Sequence, residues 1–334
     1  MGKIRVGVIG VGSLGQHHAR HFSENPRCEL IGVVDLNEAA VTRVARTCRT
    51  EYFFDYNELM GRVDAVSIAV PTVAHYKVAR DFLQAGAHVL VEKPITNRVE
   101  DARALINMAR QQNLVLQVGH IERFNAAIRK MREILDVPRF IECHRLGPYD
   151  PRVKDVGVVL DLMIHDLDIV LGIVDSPIVS IDAVGAPILS PREDIANVRL
   201  QFANGCIANL TASRVTPTKK RKIRVFQDQS YIAIDYDRQS MEVYRRIELP
   251  KTRDNAQRFE IARKRLRLKM EDKLQLEIDH FLECVEMGKR PLVDGEAGAL
   301  ALEAAVSISE QIHERARSYF DRAMQDVSAA ALMP

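Results

Sequence analysis

From Lys3 to Val118, short β-branched runs alternate with longer stretches whose apolar residues recur every three or four positions. The runs IRVGVIG (4–10), LIGVVD (30–35), DAVSIAV (64–70), AHVLVEKP (87–94) and LVLQVG (114–119) are apolar on both faces. Each therefore predicts a strand buried on both sides. The stretches between them, LGQHHARHF, NEAAVTRVARTC, AHYKVARDFLQAG and EDARALINMARQQN, predict amphipathic helices. Strands linked by helices in this order imply a doubly wound parallel sheet, a Rossmann-type α/β domain over residues 1–119. Asn37 and Asn97 stand where helix N-caps are expected, Gly86 closes the third helix, and Pro94 stops a strand.

The texture changes after His120. A helical piece, NAAIRKMREIL, leads to a strand RFIECHRL and a helix VVLDLMIHDLDIVLGIV. Six strand-like runs then follow at close spacing between Ile178 and Arg246, with Gly205 placed as a hairpin turn. Two amphipathic helices, near 270–287 and 296–316, close the chain. Residues 120–334 thus read as an α+β domain with a large open, mostly antiparallel sheet, its C-terminal helices expected to pack back toward the first domain.

Composition narrows the partners. Lys and Arg total 47 against 45 Asp and Glu, so a net charge of +2 argues against nucleic acid or an anionic membrane as the main partner. Five scattered cysteines form no C-x-x-C pair, which points to reduced thiols, and no apolar run is long enough for a membrane span. A cytoplasmic protein is expected. Two basic runs, 218–224 and 258–273, lack interleaved aromatics. Phosphate or nucleic-acid contact is open to either run, but the first reads rather as a solvated edge before a strand and the second as a subunit-facing helix.

Gly10, Gly12 and Gly15 form G-x-G-x-x-G between the first strand and the first helix. The first glycine makes the turn, the second lets a pyrophosphate approach the backbone, and the third lets helix pack on strand. Ser13 and Leu14 complete this loop, and Asp35 ends the next strand twenty residues beyond Gly15, where a carboxylate accepts hydrogen bonds from an adenosine ribose. That carboxylate would repel a 2′-phosphate, so NAD is expected rather than NADP. His17, His18 and His21 on the first helix have no acidic or thiol companions in sequence, and no metal site is expected.

For chemistry, Lys93 of VEKP projects at the carboxyl edge of the sheet, where open α/β sheets bind ligands. It can meet both a substrate hydroxyl and a nicotinamide ribose, or simply be solvated. Asp161 and His165 of DLMIHDLD are four apart, so a helix presents both on one face. Such a histidine suits a proton acceptor, but the pair equally fits a buried ion pair. Asp166 and Asp168 read as capping or surface charges.

Taken together, the N-terminal glycine motif, VPTVAHYKVARDFLQAGAHVLVEKP, the D-x-x-x-H helix and LEIDHFLECVEMGKRPLVDGEAGALALEAA resemble the Gfo/Idh/MocA oxidoreductases over nearly the whole chain. The resemblance implies a nicotinamide dinucleotide in the first domain and a substrate site on the second. It makes Lys93 the hydroxyl- and ribose-contacting lysine, His165 the general base and Asp161 the residue that orients that base or binds an adjacent hydroxyl. Pro71, Thr72, His75 and Glu92 match segments lying along the cofactor. The segment DVGVVLD keeps only Gly157 where the family often has several glycines. GHIERFNAAIRK, with Arg123, and CHRLGPYDPRVKD, with Arg145, Tyr149 and Arg152, resemble the branch oxidising the 3-hydroxyl of UDP-N-acetylglucosamine or a related nucleotide sugar. Those arginines fit either a sugar-linked pyrophosphate or structural ion pairs. The resemblance also implies a homodimer or homotetramer formed through the sheet's flat face. An inositol or free-sugar dehydrogenase, and an NAD-binding regulator without turnover, are the alternatives.

Overall fold

The computed structural model describes residues 2–150, 156–249 and 259–330. It divides into two compact units, the first comprising residues 1–125 and 271–302, the second 126–270 and 303–334.

The first unit holds a six-stranded parallel sheet with strand order β3-β2-β1-β4-β5-β6. Its strands are β1 (Ile4–Ile9), β2 (Cys28–Val34), β3 (Glu51–Phe53), β4 (Ala65–Ile68), β5 (His88–Glu92) and β6 (Leu116–Gly119). Helices α1 (Gly15–Glu24), α2 (Glu38–Cys48), α3 (Thr72–Gln84) and α4 (Val99–Gln111) make the crossovers. The order reverses beside β1, which opens a ligand crevice at the carboxyl ends of β1 and β4. As expected, Asn37 caps α2 by accepting from the Ala40 N–H at 3.0 Å, and Gly86 takes the left-handed conformation after α3 (φ 84°). Asn97 does not cap α4. Arg98 holds that position with no side-chain cap, while Thr96 donates its hydroxyl to the Arg98 carbonyl at 2.7 Å.

Late in the chain, α7 (Lys273–Met287) completes the first unit. Its Leu274, Ile278, Phe281 and Leu282 join Val6, Val8, Phe22 and Val33 in one core. Asp272 caps α7 through the N–H groups of Leu274 and Gln275. His21, at the end of α1, lies 2.8 Å from Gln275 Oε1, and Asn25 donates to Asp279 at 2.7 Å.

The second unit is built on an eight-stranded sheet of order β14-β13-β12-β11-β7-β10-β9-β8. In chain order these are β7 (Phe140–Leu146), β8 (Ile178–Ala186), β9 (Ile195–Phe202), β10 (Ile207–Ser213), β11 (Lys220–Phe226), β12 (Ser230–Asp235), β13 (Ser240–Glu248) and β14 (Phe259–Arg267). Every neighbouring pair is antiparallel except β7 with β10. Gly205 (φ 85°) turns β9 into β10 as a hairpin. Helix α5 (Ala126–Ile134) packs on β12 and β13, and α6 (Ile164–Val174) on β7. The middle of α8 (Gly295–Ala330) meets β8, where Gln311 donates to the Ile181 carbonyl at 3.1 Å.

The structure corrects both readings of the basic runs. Lys220–Arg224 lies within β11, an inner strand between β7 and β12 and not a sheet edge. In the second run residues 259–267 form β14 instead of a helix, 268–272 are loop and Lys273 opens α7, while Arg258 lies outside the described residues. As the last strand, β14 is exposed on both faces, so it has no hydrophobic alternation to announce it.

Candidate active site

In the first unit the glycines behave as their spacing implies. Gly10 has φ 85°, and a Cβ on Gly15 would stand 1.8 Å from the Gly10 carbonyl oxygen. A Cβ on Gly12 would meet nothing within 4 Å. Gly12 therefore faces the space that a phosphate group needs.

That space continues into a cavity of about 750 Å³ bordered by Gly10, Gly12, Ser13, Leu14, Asp35 and Pro71. Its walls are otherwise apolar, with Leu36, Phe54, Tyr56 and Val73 contributing. Leu36 is 90% and Val73 78% exposed, unusual for large apolar side chains and suited to a planar ring laid between them. Those four residues escaped the sequence reading. Their signal was apolar residues shortly after strand ends, Leu36 and Phe54 in the turns, Tyr56 and Val73 in the first turns of the helices that follow. Asp35 accepts from the N–H groups of Val11 at 2.8 Å and Asn37 at 2.9 Å, which fixes its carboxylate at the rim. A glycine cradle opening into an apolar cavity with a fixed carboxylate fits a dinucleotide.

Gly15, Thr72, His75, Glu92 and Lys93 do not border this cavity. His75 is buried, with ring nitrogens 2.9 Å from the Val70 and Pro94 carbonyls, and so braces the loops after β4 and β5. Burial lowers its pKa, against the pull of the two carbonyls. Lys93 follows β5 through Glu92 and precedes Pro94 across a cis peptide bond.

Behind Lys93 lies a network that the sequence did not reveal. His18 is 1% exposed, its Nδ1 2.8 Å from Ser67 Oγ and its Nε2 3.0 Å from Glu92 Oε1. An ionised Glu92 only accepts, so Nε2–H donates to it, while Ser67 Oγ, which can donate or accept, meets Nδ1. Burial opposes the charge on Glu92, but the His18 hydrogen bond and the nearby Lys93 outweigh it and hold the carboxyl below its ordinary pKa. Seventy-four residues separate the partners, so no local pattern announces the pair.

In the second unit, Asp161 and His165 bracket a change of helix type. Val159–Met163 forms a single π-helical turn before α6 begins at Ile164. The wider turn re-aims side chains relative to a straight α-helix, and such turns concentrate at functional sites. Asp161 borders a second cavity with Tyr149, Arg145 and Arg214.

Arg145 is 2% exposed and donates to Asp166 through Nε at 3.0 Å and Nη2 at 2.9 Å, with the Tyr236 ring 5.2 Å from its guanidinium. Asp166 and Asp168, read from sequence as capping or surface charges, are 2% and 1% exposed. The continuous burial of α6 explains the difference. Arg214, also buried, donates to Asp194 at 2.7 Å and to Ser190 at 2.9 Å, and stacks 5.4 Å from the Tyr149 ring. Arg123 sits in a short 3-10 turn of the first unit, 5% exposed. Arg152 lies outside the described residues.

These two halves, a dinucleotide cradle and an open-sheet unit carrying an acid and a histidine, define a two-unit oxidoreductase. Residues 4–120 match the oxidoreductase family with NAD-binding Rossmann fold, and residues 128–233 match the GFO/IDH/MocA C-terminal domain, so the chain belongs to the GFO/IDH/MocA oxidoreductases. It is 38% identical to the UDP-N-acetylglucosamine 3-dehydrogenase of Acidithiobacillus ferrooxidans over 91% of this chain and 96% of that one. A solved structure of the same A. ferrooxidans dehydrogenase superposes with a TM-score of 0.86 at 36% identity, covering 93% of this chain and 98% of that one. The myo-inositol 2-dehydrogenase of Thermotoga maritima is 25% identical over 93% of this chain and 97% of that protein. A levoglucosan dehydrogenase solved with NADH and L-sorbose shares the fold, with a TM-score of 0.81 at 18% identity, over 94% of this chain and 98% of that one.

Proposed function

We propose that this protein is an NAD-dependent dehydrogenase that oxidises the 3-hydroxyl of UDP-N-acetylglucosamine or a closely related nucleotide sugar to the 3-keto sugar. The observation that carries this reading is the 38% identity to a UDP-N-acetylglucosamine 3-dehydrogenase, which extends over 91% of the chain and so through both units. The inositol dehydrogenase relative stands lower, at 25%.

A bound nicotinamide dinucleotide supplies the hydride acceptor. The chain's own residues bind, orient and move the proton. His165 takes the proton of the substrate hydroxyl, Asp161 orients that base or holds a neighbouring hydroxyl, and Lys93 stabilises the charge developing on oxygen. Ser67, His18 and Glu92 hold the end of β5 from which Lys93 projects. Asp35 supports NAD over NADP, because its fixed carboxylate disfavours a 2′-phosphate.

Two wider features belong to the same reading. The outer face of the second sheet carries a ladder of aromatic rings, Phe140, Phe226, Tyr231 and Tyr244, with successive centroids 5.8, 5.1 and 4.3 Å apart. A half-buried aromatic strip on a broad sheet supports a homodimer or homotetramer formed there. Free cysteines at all five positions support a reducing, cytoplasmic setting.

The test is NADH formation by the purified protein with UDP-N-acetylglucosamine, with and without 2-oxoglutarate as a sink for tightly held NADH, and with Lys93→Ala as control. Lys93-dependent formation of a 3-keto nucleotide sugar is expected. Turnover of myo-inositol, with silence toward UDP sugars, would move the assignment to the inositol dehydrogenases. NAD binding with no turnover of any polyol would favour a regulatory role.

A further inference from the structure

Four cations border a cavity of about 380 Å³ in the second unit: Arg145, Arg214, Lys219 and Arg221. Two of them are committed. The fork of Arg145 is filled by Asp166, and Arg214 is held by Asp194 and Ser190. The other two are not. Among the described residues Lys219 makes no ion pair, and Arg221 meets Asp237 only at 3.6 Å, outside hydrogen-bonding range.

Strand register explains why these side chains gather. Arg221 pairs directly opposite Arg145 across β11 and β7. Alternation along β11 puts Arg221 on the same face as the buried Ile223 and Val225. Lys219, two residues earlier, continues that face beyond the end of the strand, its stem 3.9 Å from where a Cβ on Gly147 would stand. Asp150 and Asp161 border the same cavity, Asp161 from the π-helical turn.

The cavity thus combines two loosely held cations, Lys219 with no ion pair among the described residues and Arg221 in a long one, with a carboxylate fit to accept a hydrogen bond from a sugar hydroxyl. A neutral polyol can use the carboxylate and accept hydrogen bonds from the cations, but it cannot neutralise their charge. A sugar diphosphate uses both. We propose that Lys219 and Arg221 bind the diphosphate of a nucleotide-sugar substrate, with the sugar directed toward Asp161. Lysine contributes a mobile point charge and arginine a planar fork, which together suit two linked phosphates. The assignment rests on the nucleotide-sugar reading given above and names the residues that enforce it.

The test compares wild type, Lys219→Ala, Arg221→Ala and the double variant. It uses steady-state turnover of UDP-N-acetylglucosamine and calorimetric binding of UDP. Lys219 is exposed, so its replacement should leave folding intact. Each single change is expected to raise KM and the UDP Kd together by roughly tenfold, with kcat held within about twofold, the signature of lost substrate binding. Wild-type turnover of UDP-N-acetylglucosamine with KM and UDP affinity unchanged in the double variant would overturn the diphosphate site and leave the nucleotide-sugar reading standing. A wild-type enzyme that oxidises myo-inositol, and neither turns over UDP-N-acetylglucosamine nor binds UDP, would remove both.

Discussion

Lys93 and His165 are assigned steps that few other side chains perform near neutral pH, so their truncation tests the chemistry directly. Lys93→Ala or His165→Ala is expected to lower kcat by about 10²–10⁴, with the Kd for NAD measured by fluorescence titration changing little. A variant that keeps near-normal turnover removes its residue from the mechanism. Asp194 tests architecture instead. It is fully buried and accepts from the N–H groups of Ile188, Leu189 and Ser190 at 2.6–2.9 Å and from Arg214 at 2.7 Å. Burial opposes its charge, but these donors prevail and hold its pKa far below the ordinary carboxylate value. A depressed pKa means that this stabilisation is complete above about pH 4 and lost as pH falls below it. Asp194→Asn removes the charge of Asp194 beside the buried Arg214 and is expected to cost about 3–5 kcal/mol in urea unfolding at pH 7. Below pH 4 the variant's deficit should shrink; a deficit that persists unchanged would assign the loss to packing rather than charge.

The turn between β1 and α1 contains two glycines that ought to fail in different ways. Gly15→Ala drives a methyl into the Gly10 carbonyl, so its melting temperature should fall. Gly12→Ala meets open space, so the fold should survive while the Kd for NAD rises by roughly tenfold or more, because the methyl occupies the path of a phosphate. Equal melting temperatures for the two variants would contradict this division. Much of this element was legible in the chain, because glycine spacing, the flanking strand and Asp35 all lie within local sequence. Other features were not. β3 is only three residues long, too short to show a period. The π turn at Asp161 is not announced by its 161/165 spacing, which reads as plain α-helix. The His18–Glu92 and Arg145–Asp166 pairs join residues 74 and 21 positions apart. The charged residues of each pair were visible, but their partners were decided by the sheet.

At the scale of the molecule, the aromatic ladder across β7, β11, β12 and β13 makes the assembly testable. Replacing Tyr231 and Tyr244 with Glu is expected to shift the mass in light scattering toward a single chain; an unchanged mass would place the subunit contact elsewhere. A different consequence follows from the discontinuous first unit. Its core needs Phe281 and Leu282 of α7, yet residues 126–270 belong to the other unit and must be synthesised first. The nascent Rossmann half therefore waits with an uncovered apolar seam along α1 and the 3-10 turn at Ile121–Phe124 until nearly the whole second unit has left the ribosome. A fragment of residues 1–125 is expected to bind a hydrophobic dye and melt without a sharp transition, and cooperative melting of that fragment would refute the dependence. Maturation is thus gated by the return of one late helix, and a stop codon placed before α7 would waste both halves of the product.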